Sequence, residues 1–429
     1  MIPIIKKVFS KLCHKTNTRK MKGSITPLAI IVIFVILALA LPFTAIVLIE
    51  LNISANQGKR VQAFYLADAG LEYGNDQLRQ TNGTWTGTGT TPVYLTHANG
   101  TIGSFLINVT TSVSNGVTFW TLTSIGTPSD TYSSASIVGI TRQANYANFL
   151  IFRETMNARF GDGYYANGRV HVNDDLKTDN SPVFEKLVTA VGKHDHTGSK
   201  QAKFRGGLQT YASYIAMPTT YDIDGLYTKA NSTGLTDQQY TGSTVYSATT
   251  VTFNGATATV VITKTGATTK IINYPLSGES LMAFRTPVYV SGTVDGRVTI
   301  VSMDDITITS NLVYKDRTSS SDDMTGLISK GIVEIAQNCP TTLNVDASIL
   351  VPLSGGCFQA GPALNVAKNT LNFNGSYTSY ENGSFVSGSK GFQTRNFLYD
   401  NRLINSCPPY FFYIDNIFHM IYWKNAYFL

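Results

Sequence analysis

Hydrophobic and polar positions divide the chain into three regimes. Leu28 to Ile49 is one long apolar run, with no charge between Lys22 and Glu50. Wound as a helix, it is about 33 Å long at about 1.5 Å per residue, enough to cross a bilayer core. Beyond it, Val61, Phe64, Asp68, Leu71, Asn75 and Leu78 recur at spacings of three and four, which predicts one packed face of a helix. Joined, the two stretches predict a rod of about 50 residues with a kink at Pro42, where a backbone donor is missing. From Ile102 to Gln143 the pattern turns to alternation: IGSFLINVTTSV, VTFWTLTSIGT and SASIVGITRQ read as three strands of a meander. Asn115-Gly116 marks a type I′ hairpin turn between the first two.

The rest of the chain holds shorter strand patterns. They include Val288–Val290, Val298–Ile300, Ile306–Ile308, Ile332–Ile335, Leu343–Val345, Ser348–Val351 and Leu371–Phe373. Gly, Asn, Asp and Ser punctuate them. Short rungs of this kind suit a β-solenoid, each turn burying its face on the next, or alternatively a sandwich. Ala144 to Asp162 reads as a connector, either a strand or a short helix. The aromatic stretch at the end, through Leu429, reads as a solenoid cap or a tail. Asp415, Asn416, His419, Lys424 and Asn425 interrupt it too often for a membrane span.

Charge changes the picture at one end. The chain of 429 residues carries a formal net charge of +6, yet only 14% of it is charged. Lys6, Lys7, Lys11, Lys15, Arg19, Lys20 and Lys22 precede any acid. Without those seven, 26 Lys and Arg face 27 Asp and Glu, so the body is neutral. That excludes nucleic-acid binding by clustered cations. Cations before the apolar run place the N-terminus in the cytoplasm and the body outside. A cleaved secretory signal fits less well, because the run exceeds a usual signal core and no small-x-small site follows it.

The N-terminal residues resemble a family. Lys22-Gly23-Ser24 stands directly before the apolar run, and Glu50, Asn56, Arg60 and Ala63-Phe64-Tyr65-Leu66-Ala67-Asp68-Ala69-Gly70-Leu71-Glu72 follow it. This set, within about residues 21–80, resembles the N-terminal region of PilX-type minor pilins of type IV pilus assembly. The resemblance implies cleavage by prepilin peptidase between Gly23 and Ser24. It also implies helix packing or assembly roles for Glu50, Val61, Phe64, Asp68 and Leu71. Two departures stand out. Many pilins carry Glu at the fifth mature residue, where this chain has Leu28. The leader would be 23 residues long, whereas a start at Met21 would make it short.

A second resemblance covers much of 145–414. Gly168-Arg169-Val170-His171-Val172-Asn173-Asp174, Val294-Asp295-Gly296-Arg297-Val298-Thr299-Ile300 and Tyr399-Asp400-Asn401-Arg402-Leu403 with Pro408-Pro409 are similar to bacterial envelope proteins that pair a PilX-like N-terminus with a DUF4900 domain. That family has no settled activity, so the likeness implies architecture.

Candidate chemistry is sparse. Lys193-His194-Asp195-His196 alternates possible metal ligands on one strand face, but no third and fourth ligand stands at metal-site spacing. Asp304-Asp305 and Asp322-Asp323 fit turns between strands. A Cys339–Cys357 disulfide would close a modest loop and contribute about 3 kcal/mol, leaving Cys407 free. No Walker A loop, GxSxG, HExxH or CxxC occurs.

The expected fold is mainly β behind a long N-terminal helix. The expected divisions are a leader (1–23), a helix (24–80), a pilin-like antiparallel head (81–143), a β domain (144–414) and an aromatic tail (415–429). The expected function is that of a non-enzymatic minor pilin-like protein without metal or cofactor. Its partners would be prepilin peptidase, other pilins or pseudopilins and the assembly platform. It would sit in the bacterial inner membrane through Leu28–Ile49 and enter a pilus or pseudopilus. The alternative is a permanently anchored adhesin or scaffold whose hydroxyl-rich and aromatic surface meets a glycan or a protein. A β-helix polysaccharide enzyme would need a converging set of charged residues, which the sequence does not display.

Overall fold

A computed structural model of the chain describes residues 25–98, 100–114, 117–130, 133–238, 246–264 and 269–428. The cleavage pair Gly23-Ser24, Cys13 and the Asn115-Gly116 turn lie outside these residues.

One helix runs from Thr26 to Gln80, 55 residues, and continues through Pro42. Pro27 occupies its first turn, where a missing N–H costs nothing. At the other end Asn82 and Gly83 adopt φ of 48° and 84°. The Gly83 amide then reaches back to the Leu78 carbonyl at 2.8 Å, a left-handed stop that satisfies a terminal acceptor.

The C-terminal half of the helix lies on a five-stranded antiparallel sheet. Its first four strands are β1 (Val93–His97), β2 (Gly100–Ser114), β3 (Val117–Pro128) and β4 (Ala135–Asn145). The meander expected from alternation is present, with β1 added at one edge. The fifth strand is the end of the chain, Tyr413–Phe428, antiparallel to β4. The aromatic stretch is therefore neither a tail nor a cap. Phe418 is buried at 1% exposure, and its ring meets Trp120 edge-on at 5.1 Å. Register shifts along this strand, with Asn416 at φ 59°, break the alternation that would have marked it.

Between β4 and that last strand lies the large β body. Its strands pair in parallel, turn upon turn, which favours the solenoid-like expectation over a sandwich. Ile151–Arg153 pairs with Val170–Val172, which pairs with Val188–Ala190, which pairs with Leu208–Gln209. The chain then starts again elsewhere. Leu235–Thr236 pairs with Glu279–Phe284, followed by Arg297–Ser302, Met324–Ser329, Thr342–Val351 and Ala367–Ser379. The last of these carries Tyr377–Ser379, which pairs in parallel with Ile151–Arg153. The later half of the body thus stacks beneath the earlier half, and the two form one continuous ladder. Leu343–Val345 and Ser348–Val351, read as two strands, are one, Thr342–Val351.

Two further features complete the body. A helix that sequence reading missed, Thr220–Thr233, lies in the return connection between the halves and packs on Glu279–Phe284. A capping box of Thr219 and Asp222 starts it, and Ile223, Leu226, Tyr227 and Ala230 form its buried face. An antiparallel set, Tyr246–Gly255, Thr257–Lys264 and Lys270–Pro275, continues from Val288–Val294 and covers that strand's open edge.

Cys339, Cys357 and Cys407 are buried, and no two of them form a disulfide. The expected Cys339–Cys357 bridge is absent. The Cys339 carbonyl accepts from the Lys368 ammonium, while the Cys357 carbonyl accepts from the Val333 amide.

Candidate assembly surface

The long helix has two halves with opposite surroundings. Residues 25–58 are exposed throughout, including Leu28, Ile30, Ile31, Phe34, Leu41 and Phe43. It is the one helix among the described residues long and apolar enough to cross a membrane. A row of large apolar side chains in water is unfavourable by about 25 cal/mol per Å², so this half needs lipid or other apolar helices around it. Glu50, the first charge after the apolar run, is exposed.

The second half is held by small residues. Its buried face is Ala63, Leu66, Ala67, Gly70, Leu71, Gly74, Asn75 and Leu78. A Cβ placed on Gly126 of β3 would stand 2.3 Å from the Ala63 carbonyl and the Ala67 amide, so backbone meets backbone there. Gly70 lies equally close to Ser124, and Gly74 to Leu122. The Thr141 hydroxyl donates 3.0 Å to the Asn75 amide oxygen inside this interface. At the rim Lys59 pairs with Asp130 at 3.3 Å, and Gln62 donates to the Ile102 carbonyl.

The residues expected to hold the head divide accordingly. Leu71, Asn75 and Leu78 are buried, and Leu71 faces Gly139 of β4. Phe64 and Asp68 are half-buried at the margin. The Phe64 ring meets Trp423 of the last strand at 5.9 Å. Val61 is 53% exposed and lies outside the buried face. The stripe of large residues pointed slightly to one side of the true face. Ala63, Ala67, Gly70 and Gly74 recur at spacings of four, three and four, and that small-residue pattern was the available signal.

The polar clusters singled out in the sequence have partners. His194 Nε2 and His196 Nδ1 each lie 2.8 Å from the Thr178 hydroxyl. Among the described residues no group of three or more His, Cys, Asp or Glu could hold a metal. Asp305 accepts from the Ile332 amide, and Asp323 from the amides of Gly296 and Asp316, so both doublets cap turns.

His171 is buried at 2% exposure between Thr189 and Asn173. Asn173 donates its amide protons to Glu154 and the Ile215 carbonyl, so its oxygen is the acceptor facing His171. Nε2 of the ring therefore carries a proton and donates it to Asn173. Burial holds its pKa down to about 4. His419 is also held down to about 4, by burial first and by Arg169, Arg142 and Arg79 after it.

No protein-family model matches the chain, and no curated protein matches it. Among solved structures it is similar to the competence-associated pilin ComZ from Thermus thermophilus. The identity is 13%, the match covers 86% of this chain and 97% of that one, and the TM-score is 0.39.

Proposed function

We propose that the chain is a non-enzymatic minor pilin-like subunit that enters a type IV pilus or pseudopilus. One observation carries this reading: a single helix of 55 residues is bare and apolar in its first half and sheet-bound in its second. Prepilin peptidase cuts between Gly23 and Ser24. Leu28–Ile49 then waits in the inner membrane, with the cationic leader cytoplasmic and the β body outside. The assembly platform draws the helix from lipid into a bundle with other pilins, where its apolar side chains exchange lipid tails for protein. The helix and head form one unit, and the body from about 144 to 414 is displayed beyond it.

N-terminal mass spectrometry of the membrane fraction tests this. A mature terminus at Ser24, replaced by the longer precursor when the peptidase gene is deleted, is the expected result. A terminus elsewhere, or unchanged mobility in the deletion strain, overturns it. Leu28 favours a second reading, a permanent anchor, because the assembly glutamate of many pilins would stand there. Retention in membranes and absence from sheared pilus fractions would select that reading.

A further inference from the structure

A polar groove crosses the β body where its two halves meet. It has two lobes of about 770 and 670 Å³, which share Gly163, Tyr165, Arg395, Asn396 and Phe397. A row of asparagines floors the first lobe. Asn372 donates 2.9 Å to the Asn344 oxygen, and Asn396 donates 2.8 Å to the Asn372 oxygen. At its lower end the Asn311 oxygen accepts from the Asn344 backbone amide at 2.9 Å and from its side-chain amide at 3.4 Å. Parallel pairing sets these side chains in register on successive strands, about 4.8 Å apart. Each bond along the row uses one N–H and one oxygen lone pair. The second N–H and lone pair of each amide remain for another molecule, and the row fixes which way the amides point.

Tyr165, 47% exposed at the junction of the lobes, offers a flat apolar face.

The charges narrow the ligand further. Arg317 is paired with Asp346 and Arg402 with Asp400. Arg395 is exposed and bonds only the Phe392 carbonyl at 3.2 Å, with no carboxylate beside it among the described residues. A polyphosphate or nucleic acid would need several such free cations. A row of amides, one exposed aromatic face and one exposed guanidinium without a carboxylate suit hydroxyl groups and a single carboxylate.

We propose that this groove binds an acidic oligosaccharide of the uronic-acid type. The asparagine row holds sugar hydroxyls, Tyr165 stacks on a ring face, and Arg395 takes the carboxylate. The proposal does not depend on pilus assembly. Calorimetry on the full chain in detergent tests it, with oligogalacturonate and a neutral oligogalactose of equal length as probes. Oligogalacturonate is expected to bind saturably. Arg395→Gln, at an exposed position, and Asn372→Leu are each expected to weaken binding by at least about tenfold, the loss of one charge-assisted or bidentate contact. The neutral oligomer should bind wild type as weakly as oligogalacturonate binds Arg395→Gln. Absence of binding by both probes, binding unmoved by both substitutions, or equal affinity for the two probes would overturn it.

Discussion

Arg153 donates a 2.7 Å hydrogen bond to the hydroxyl of Tyr377, 224 residues further along the chain. The guanidinium also lies over the rings of Tyr377 and Phe160. The bond sits where Ala367–Ser379 docks on Ile151–Arg153, so it ties the two halves of the stack. Tyr377→Phe keeps the ring and removes the acceptor from a buried cation. A loss of about 1.5–3 kcal/mol is expected in urea unfolding. A loss near zero would mean that solvent reaches Arg153.

The helix-to-sheet contact is sensitive to a single methyl group. Gly126→Ala places a Cβ against helix backbone on both sides, at atoms that no side-chain rotation can move. The expected cost is about 1–3 kcal/mol in thermal or denaturant unfolding. Val61→Ala, on the exposed side of the same helix, should change stability by less than about 0.5 kcal/mol.

Phe418 anchors the final strand against Trp120. Phe418→Ala opens a cavity beneath that strand, with an expected loss of about 3–5 kcal/mol. Hydrogen exchange should then show Tyr413–Phe428 opening before β2 and β3. Uniform opening of the whole sheet would contradict the arrangement.

His171 makes stability depend on pH. Its folded pKa is about 4, below an unfolded value of about 6.5, so the unfolded chain binds the extra proton between them. The contribution is complete above about pH 6.5 and is lost as pH falls toward 4, by about 1–3 kcal/mol. His419 adds to the same window. His171→Gln should be less stable at pH 7 but flatter between 6.5 and 4. An equally steep profile in the variant would assign the effect to other groups.

The three body cysteines should react with a thiol reagent only after unfolding, since all are buried and burial raises each thiol's pKa. A reductant should leave the melting temperature unchanged. A drop on reduction would reveal a bridge.

Local patterns carried some of this architecture and not the rest. The apolar run, the meander and most body strands were legible, because burial on one face leaves a period in the sequence. The joining of Ile151 to Tyr377 leaves none, since strand pairing between distant residues is decided by which edges remain open. The final strand was hidden by its bulges, and the helix face by its glycines and alanines, which pack through backbone rather than bulk. The groove was hidden for a related reason. Asn344, Asn372 and Asn396 are ordinary residues at unequal intervals until parallel register aligns them.

The order of synthesis gives the head sheet one more property. Four of its strands emerge before the body, and the fifth emerges after it. Until then β4 offers a bare edge and Trp120 lacks its partner. Completion of the head therefore reports that everything between residues 146 and 412 has already been delivered. A chain stopped early, at whatever point in the body, ends in the same defect: an open strand edge beside the helix. The fold contains its own check that the body has been made, placed next to the segment that would join a fibre.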